Sequence, residues 1–238
     1  MKLIIISILL ALMGGTAFVV FKTGNKTTVT EISILRDITE THLAQPLPEE
    51  IMSLFDLNIH KWNGGIFRFA NISDVSYTNT KYAAVTSANE WLSNQYDREK
   101  EIKVFRDKVE EIIADAKNDS IGKPHSSVYI PIADELNRLN KSHSQRRVLL
   151  IYSDLMENET TLSFYNGRVL ELLKSNPDSA IKVFNKLSSL GNLSGIEVHI
   201  IYQPTNTETD RIFQIVSEFY RKYLESKGAK VEISANLI

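Results

Sequence analysis

Three oxygen-bearing side chains recur at every second position in Asp37-Ile38-Thr39-Glu40-Thr41. Alternate residues of an extended segment project to one side, so the Asp37 carboxylate and the Thr39 and Thr41 hydroxyls can converge on one point. Such a hard oxygen site suits Mg2+ or Ca2+, whereas zinc prefers nitrogen and sulfur. A second carboxylate, Asp154, follows the run Val148-Leu149-Leu150-Ile151-Tyr152-Ser153. Ligands of open α/β sheets sit beyond the carboxyl ends of the strands, so two aspartates just past two strands are a metal signature. The competing reading is that Asp37 and Asp154 cap the helices that follow them, as aspartate often does. Capping would not require hydroxyls at both 39 and 41.

The elements that must position these residues are legible as alternation. From Thr28 onward, short β-rich runs alternate with longer segments of helical period, and no internal repeat or low-complexity stretch interrupts them. That pattern predicts a mostly parallel sheet flanked by helices, a three-layer α/β domain over residues 28–238. The strand candidates are residues 29–35, 66–75, 81–86, 147–152, 196–202 and 231–235. The runs at 148–152 and 198–202 are almost wholly apolar, as strands buried on both faces are.

Ile102, Phe105, Val109, Ile112, Ile113 and Ala116 fall at helical spacing in a highly charged segment. They predict one helix with a single apolar stripe. Ile212, Ile215, Val216, Phe219 and Tyr223 predict another, with Gly228 at its left-handed C-terminal cap. Pro46 and Pro48 open a first helix through Leu57, and Pro177 splits residues 162–190 into two helical pieces. About six strands and six helices are expected.

The segment Asp37-Ile38-Thr39-Glu40-Thr41 resembles the metal-ion-dependent adhesion site of the von Willebrand factor A family, which reads Asp-x-Ser/Thr-x-Ser/Thr after the first strand. The family's third element, an aspartate after the fourth strand in a Ser/Thr-Asp-Gly context, is similar to Ser153-Asp154, with Leu155 in place of glycine. Its second element is a threonine in a loop that opens a helix. The resemblance assigns that role to Ser126 of His125-Ser126-Ser127-Val128-Tyr129, with Ser127 as the fallback. It covers roughly residues 28–238 and implies a vWA-like, Rossmann-like fold. It also implies Mg2+ (or Mn2+ or Ca2+) held by Asp37, Thr39, Thr41, Ser126 and Asp154, and a protein partner that offers an Asp or Glu carboxylate to the metal.

Other residues read more plainly. His42 and His125 flank the proposed site, but its hydroxyls do not suit zinc. His60, His143 and His199 read as surface or core side chains, and Trp62 and Trp91 as packing anchors. Glu157, Asn158 and Glu159 either line the rim of the site or cap the next helix, and capping is preferred. A phosphohydrolase of the haloacid dehalogenase type resembles Asp-x-Asp-x-Thr, and Thr39 stands where its general acid would be. There is no Gly-x-Ser-x-Gly elbow, no His-Glu-x-x-His and no phosphate-binding glycine loop. Binding rather than catalysis is therefore expected. A metal-dependent phosphohydrolase and a domain with a vestigial metal site are the rival readings.

Leu3 to Phe21 is an uncharged run of nineteen residues between Lys2 and Lys22, long enough to cross a bilayer as one helix. The rival is a cleaved secretory signal with Gly15-Thr16-Ala17 at its cleavage site, which would leave the protein secreted or periplasmic. The anchor is preferred because Phe18-Val19-Val20-Phe21 carries the apolar run past the cut. Residues 1–21 are then an anchor or signal segment and 22–27 a polar linker. The domain is placed outside the cytoplasm. Setting aside Lys2, Lys22 and Lys26 leaves 24 basic against 29 acidic side chains, a net of −5. The basic residues form no stripe, so nucleic acid is not an expected partner, nor is adhesion of the domain to anionic lipid. Zero cysteines exclude disulfides and thiolate metal sites.

Overall fold

The computed structural model describes residues 27–38, 44–72, 78–117, 127–159 and 162–237. The 3–21 run, Thr39, His42, Thr41, His125 and Ser126 lie outside the described residues. Among the described residues, no helix is long and apolar enough to cross a membrane.

The described chain runs β1 (Val29–Asp37), α1 (Pro48–Phe55), β2 (Gly64–Ile72), β3 (Thr78–Val85), α2 (Gln95–Lys117), α3 (Tyr129–Asn140) and β4 (Arg146–Tyr152). It continues through β5 (Asn158–Glu159), β6 (Leu162–Ser163), α4 (Gly167–Ser175), α5 (Pro177–Leu187), β7 (Ile196–Ile201), α6 (Thr207–Ser226) and β8 (Lys230–Ser234). Six strands form one sheet in the order β3-β2-β1-β4-β7-β8. Every neighbouring pair is parallel except β2 with β3. The expected α/β architecture with a mostly parallel, helix-flanked sheet is therefore present. The ribbon of β5 and β6 is an addition to it.

Alternation along the strands builds two cores. Ile32 and Ile34 of β1, Phe67 and Phe69 of β2, and Val148 and Leu150 of β4 pack on one face under α1 and α2, with Phe55, Phe105 and Val109. Leu35, Ala70, Leu149, Ile151 and Val198 pack on the other under α3 to α6, with Ile132, Phe184 and Phe219. Strands covered on both sides must be apolar at consecutive positions, which explains the run at 148–152.

All six stripe residues predicted for α2 are buried. In α6 the buried face is Phe213, Val216, Ser217, Phe219, Tyr220, Tyr223 and Leu224, which leaves Ile212 and Ile215 half-buried. The stripe is thus rotated from the predicted one, because aromatic residues on the neighbouring positions take the deeper contact. Gly228 closes α6 at φ 99°, the left-handed region expected for a helix-ending glycine. Pro177 does begin a separate helix.

One polar network is buried beneath α3. Arg138 Nη1 donates to Glu31 Oε1 at 2.6 Å and Nη2 to Ser33 Oγ at 3.0 Å, while its Nε and Nη2 both donate to Glu135. Ser142 and Ser144 donate to the other Glu31 oxygen. Burial alone would push the Glu31 carboxyl up, but the bonds from Ser142 and Arg138 more than offset it and hold it below its usual range. Glu31, Ser33, Leu35 and Asp37 alternate along β1 and so share one face.

Candidate metal centre

The strand order reverses direction between β1 and β4, since β2 and β3 lie on one side of β1 while β4, β7 and β8 lie on the other. That reversal is a topological switch point, and the crevice outside the carboxyl ends of its two strands is where open α/β sheets take ligands. Asp37 is the last residue of β1, not the first beyond it as the sequence suggested. Arg36 pairs with Tyr152, so Ser153 and Asp154 leave β4 beside it.

The two motifs meet directly. Ser153 Oγ donates to Asp37 Oδ2 at 3.0 Å, and both residues are buried. The same hydroxyl oxygen accepts from Leu155 N at 2.9 Å, and Asp154 Oδ1 accepts from Met156 N at 2.9 Å. These bonds fold the chain after β4 into a tight turn that carries the Asp154 carboxylate. Leu155, where the vWA-type motif commonly has glycine, sits at φ 62° and is fully buried. A leucine in the left-handed region costs on the order of 1–3 kcal/mol of backbone strain. Its side chain lies in the core under α3 to α6, and that burial offsets the cost.

Among the described residues, helix capping accounts for neither aspartate. Leu47 precedes α1 with no side-chain cap bond, and Asn166 caps α4 by accepting from Arg168 N. Glu157 is a cap, though not of the next helix. It is fully buried, and its Oε2 accepts from Val128 N at 3.1 Å and Tyr129 N at 2.8 Å, at the start of the preceding α3. Beside it, Ser127 is 1% exposed, and its Oγ has no hydrogen-bond partner among the described residues. The loop that should supply the second motif element thus ends in a buried hydroxyl that the described protein leaves unpartnered.

Of the five expected ligands, the structure brings Asp37 and the Ser153-Asp154 turn together, while Thr39, Thr41 and Ser126 lie outside the described residues. Among the described residues, no three His, Asp or Glu side chains gather into a metal-binding group. The described oxygen groups at the switch point are the carboxylates of Asp37 and Asp154 and the hydroxyl of Ser153. His60 and His143 are exposed, and His199 lies on β7 beside Glu232. The packing role expected of Trp91 is not what the structure has, since its side chain is 79% exposed.

Desolvation is the main influence on Glu157. Its carboxyl is pushed up to about 7, even though two backbone N–H donors pull the other way, and Asp37 and Glu159 add like-charge repulsion. The folded state therefore holds a proton that the unfolded chain has already released between about pH 4.5 and 7. Stability from this group is fully present below that window and is lost as pH rises through it, by roughly 3 kcal/mol at most. Glu157→Gln keeps an acceptor for α3 and cannot ionise. In chelator the variant should match wild type at about pH 4 and exceed it at pH 8 in urea unfolding, and identical pH profiles would refute this account.

No protein-family model matches the chain, and no curated protein matches it.

Proposed function

We propose that the chain is a membrane-tethered vWA-like domain whose task is to bind a divalent cation and, through it, a protein partner. The observation that carries this reading is the Ser153–Asp37 hydrogen bond at the switch point, which joins the two segments that resemble the first and third motif elements. The strand order, with its single antiparallel edge strand, supports the vWA-like assignment. In this reading Asp37, Thr39, Thr41, Ser126 and Asp154 hold Mg2+ (or Mn2+ or Ca2+) directly or through water, with Ser127 as the alternative to Ser126.

Neutral hydroxyls supply much of that shell, and two carboxylates at most neutralise a divalent ion. The ion would retain enough electrophilic character to accept an external carboxylate, and a partner's Asp or Glu side chain is the expected donor. The test is capture of partners by the full chain in Mg2+ and again in chelator, alongside incubation with a phosphate ester. A partner retained only in Mg2+ supports the reading. Capture that persists in chelator overturns the metal bridge, absence of any metal binding makes the site vestigial, and turnover of the ester favours a phosphohydrolase.

A further inference from the structure

The four most exposed large apolar side chains of the described residues are Leu92 at 86%, Tyr96 at 82%, Trp91 at 79% and Ile59 at 76%. They belong to two short stretches that the fold stitches together. Arg98, itself buried, donates to the carbonyls of Lys61, Thr86 and Asn63, and Ala88 N donates to Trp62 O. Thr28 N donates to Asn63 Oδ1, so the point where the chain enters the domain is bound to the same platform. Gly64 lies in this seam because a Cβ there would come within 2.9 Å of Ser87 N. Thr27, Thr28, Ile59, Trp62 and Trp91 line one cavity of about 1000 Å³ at this end of the sheet. It lies at the opposite end of β1 from Asp37.

We infer that this platform rests in the interfacial zone of the bilayer, with Trp91, Leu92, Tyr96 and Ile59 as its contact residues. The inference relies on the proposed anchor. Only Lys22 to Lys26 separate Phe21 from Thr27, and so short a segment spans about 20 Å when fully extended. A bilayer crossed by the 3–21 run must therefore lie within that reach of the cavity mouth. Tryptophan and tyrosine favour the headgroup level, where an apolar ring body and a polar edge are both accommodated. Lys61 lies over the Trp62 ring at 5.5 Å, and among the cavity's own side chains Glu90 opposes it. Lys61 and Glu90 balance within the cavity lining, so the occupant is the neutral interface itself rather than an anionic headgroup.

Trp62 and Trp91 are the only tryptophans in the chain, which makes the platform its own reporter. The experiment places the full chain in nanodiscs and compares ordinary with acyl-brominated lipid, using Trp62→Phe to isolate Trp91. Trp91 emission should fall at least about twofold in brominated lipid, equally in zwitterionic and anionic discs, and Leu92→Glu in the same background should remove most of that quenching. Co-elution with the discs reads the anchor separately. A chain that co-elutes with Trp91 unquenched overturns the docking and spares the anchor, whereas a chain that does not co-elute overturns both. Trp91 shielded from aqueous acrylamide yet unquenched by bromine would mean cover by a second copy, a protein partner or the chain's own leading segment. Quenching confined to anionic discs would mean adsorption by charge. Either result defeats the inference.

Discussion

Asp37→Asn should weaken Mg2+ or Mn2+ binding by more than about a hundredfold, since even residues that only support a metal ligand typically cost ten- to a hundredfold. The asparagine preserves the shape of the side chain and an oxygen that can accept from Ser153 Oγ, so the loss isolates the charge. Thr41→Ala tests the hydroxyl side of the same shell. Titration calorimetry of the full chain measures both variants, and equal heats for Asp37→Asn and wild type would end the metal assignment.

Melting in chelator separates a bridging ion from a structural one. Any ion that binds only the folded state stabilises it, by about 2.7 kcal/mol at a hundred times the dissociation constant, so a modest shift is expected in both cases. A bridging ion leaves the domain folded but unable to hold its partner. If chelator unfolds the domain, the ion is structural.

Arg138→Ala should cost about 3–5 kcal/mol, because it strips the counter-ion from Glu31 and Glu135, which are 3% and 6% exposed on their side chains. Arg68 lies 3.7 Å from Glu135 and can compensate it in part, but the hydroxyls of Ser142 and Ser144 give Glu31 no positive charge. The sign of the pH dependence follows from the Glu31 carboxyl, which the fold holds below its usual range. Its stabilising contribution is present above the unfolded value and is lost as pH falls through the folded one, so the gap between wild type and Arg138→Ala should narrow below about pH 4. Urea unfolding at pH 7 and at about pH 3 measures this. A difference under about 1 kcal/mol at pH 7 would place the network among surface ion pairs.

The sequence carried the sheet because β4 is buried on both faces and reads as an unbroken apolar run at 148–152, while β1 keeps apolar Ile32 and Ile34 on one face even though Glu31, Ser33 and Asp37 are buried on the other. It carried the approach of Asp37 to Ser153 through register alone, since Asp37 ends β1 and Ser153 leaves β4 beside it. The Glu157 role was not legible. Its partners, Val128 and Tyr129, lie 29 and 28 residues away, and only the tertiary approach of α3 to the β4 turn makes a cap of it. The two-residue strands β5 and β6 are too short to leave any alternation. Trp91 illustrates a different limit. An aromatic residue in a loop carries no periodicity, so nothing local separates a buried anchor from an exposed contact. The missing glycine after Asp154 was visible, and the left-handed Leu155 explains why glycine would have been the easier residue there.

The nine residues of β1 set a standoff. At about 3.3 Å per residue they hold Asp37 roughly 30 Å from the end of the domain where the chain enters. Mobile ions at physiological strength screen fields over about 8 Å, so in a tethered chain the charge of the lipid surface would not reach the switch point. Cation affinity there should be indifferent to lipid composition. A partner sharing the membrane would need an ectodomain tall enough to bring its carboxylate to that height, whereas a soluble partner could approach from the aqueous side unhindered.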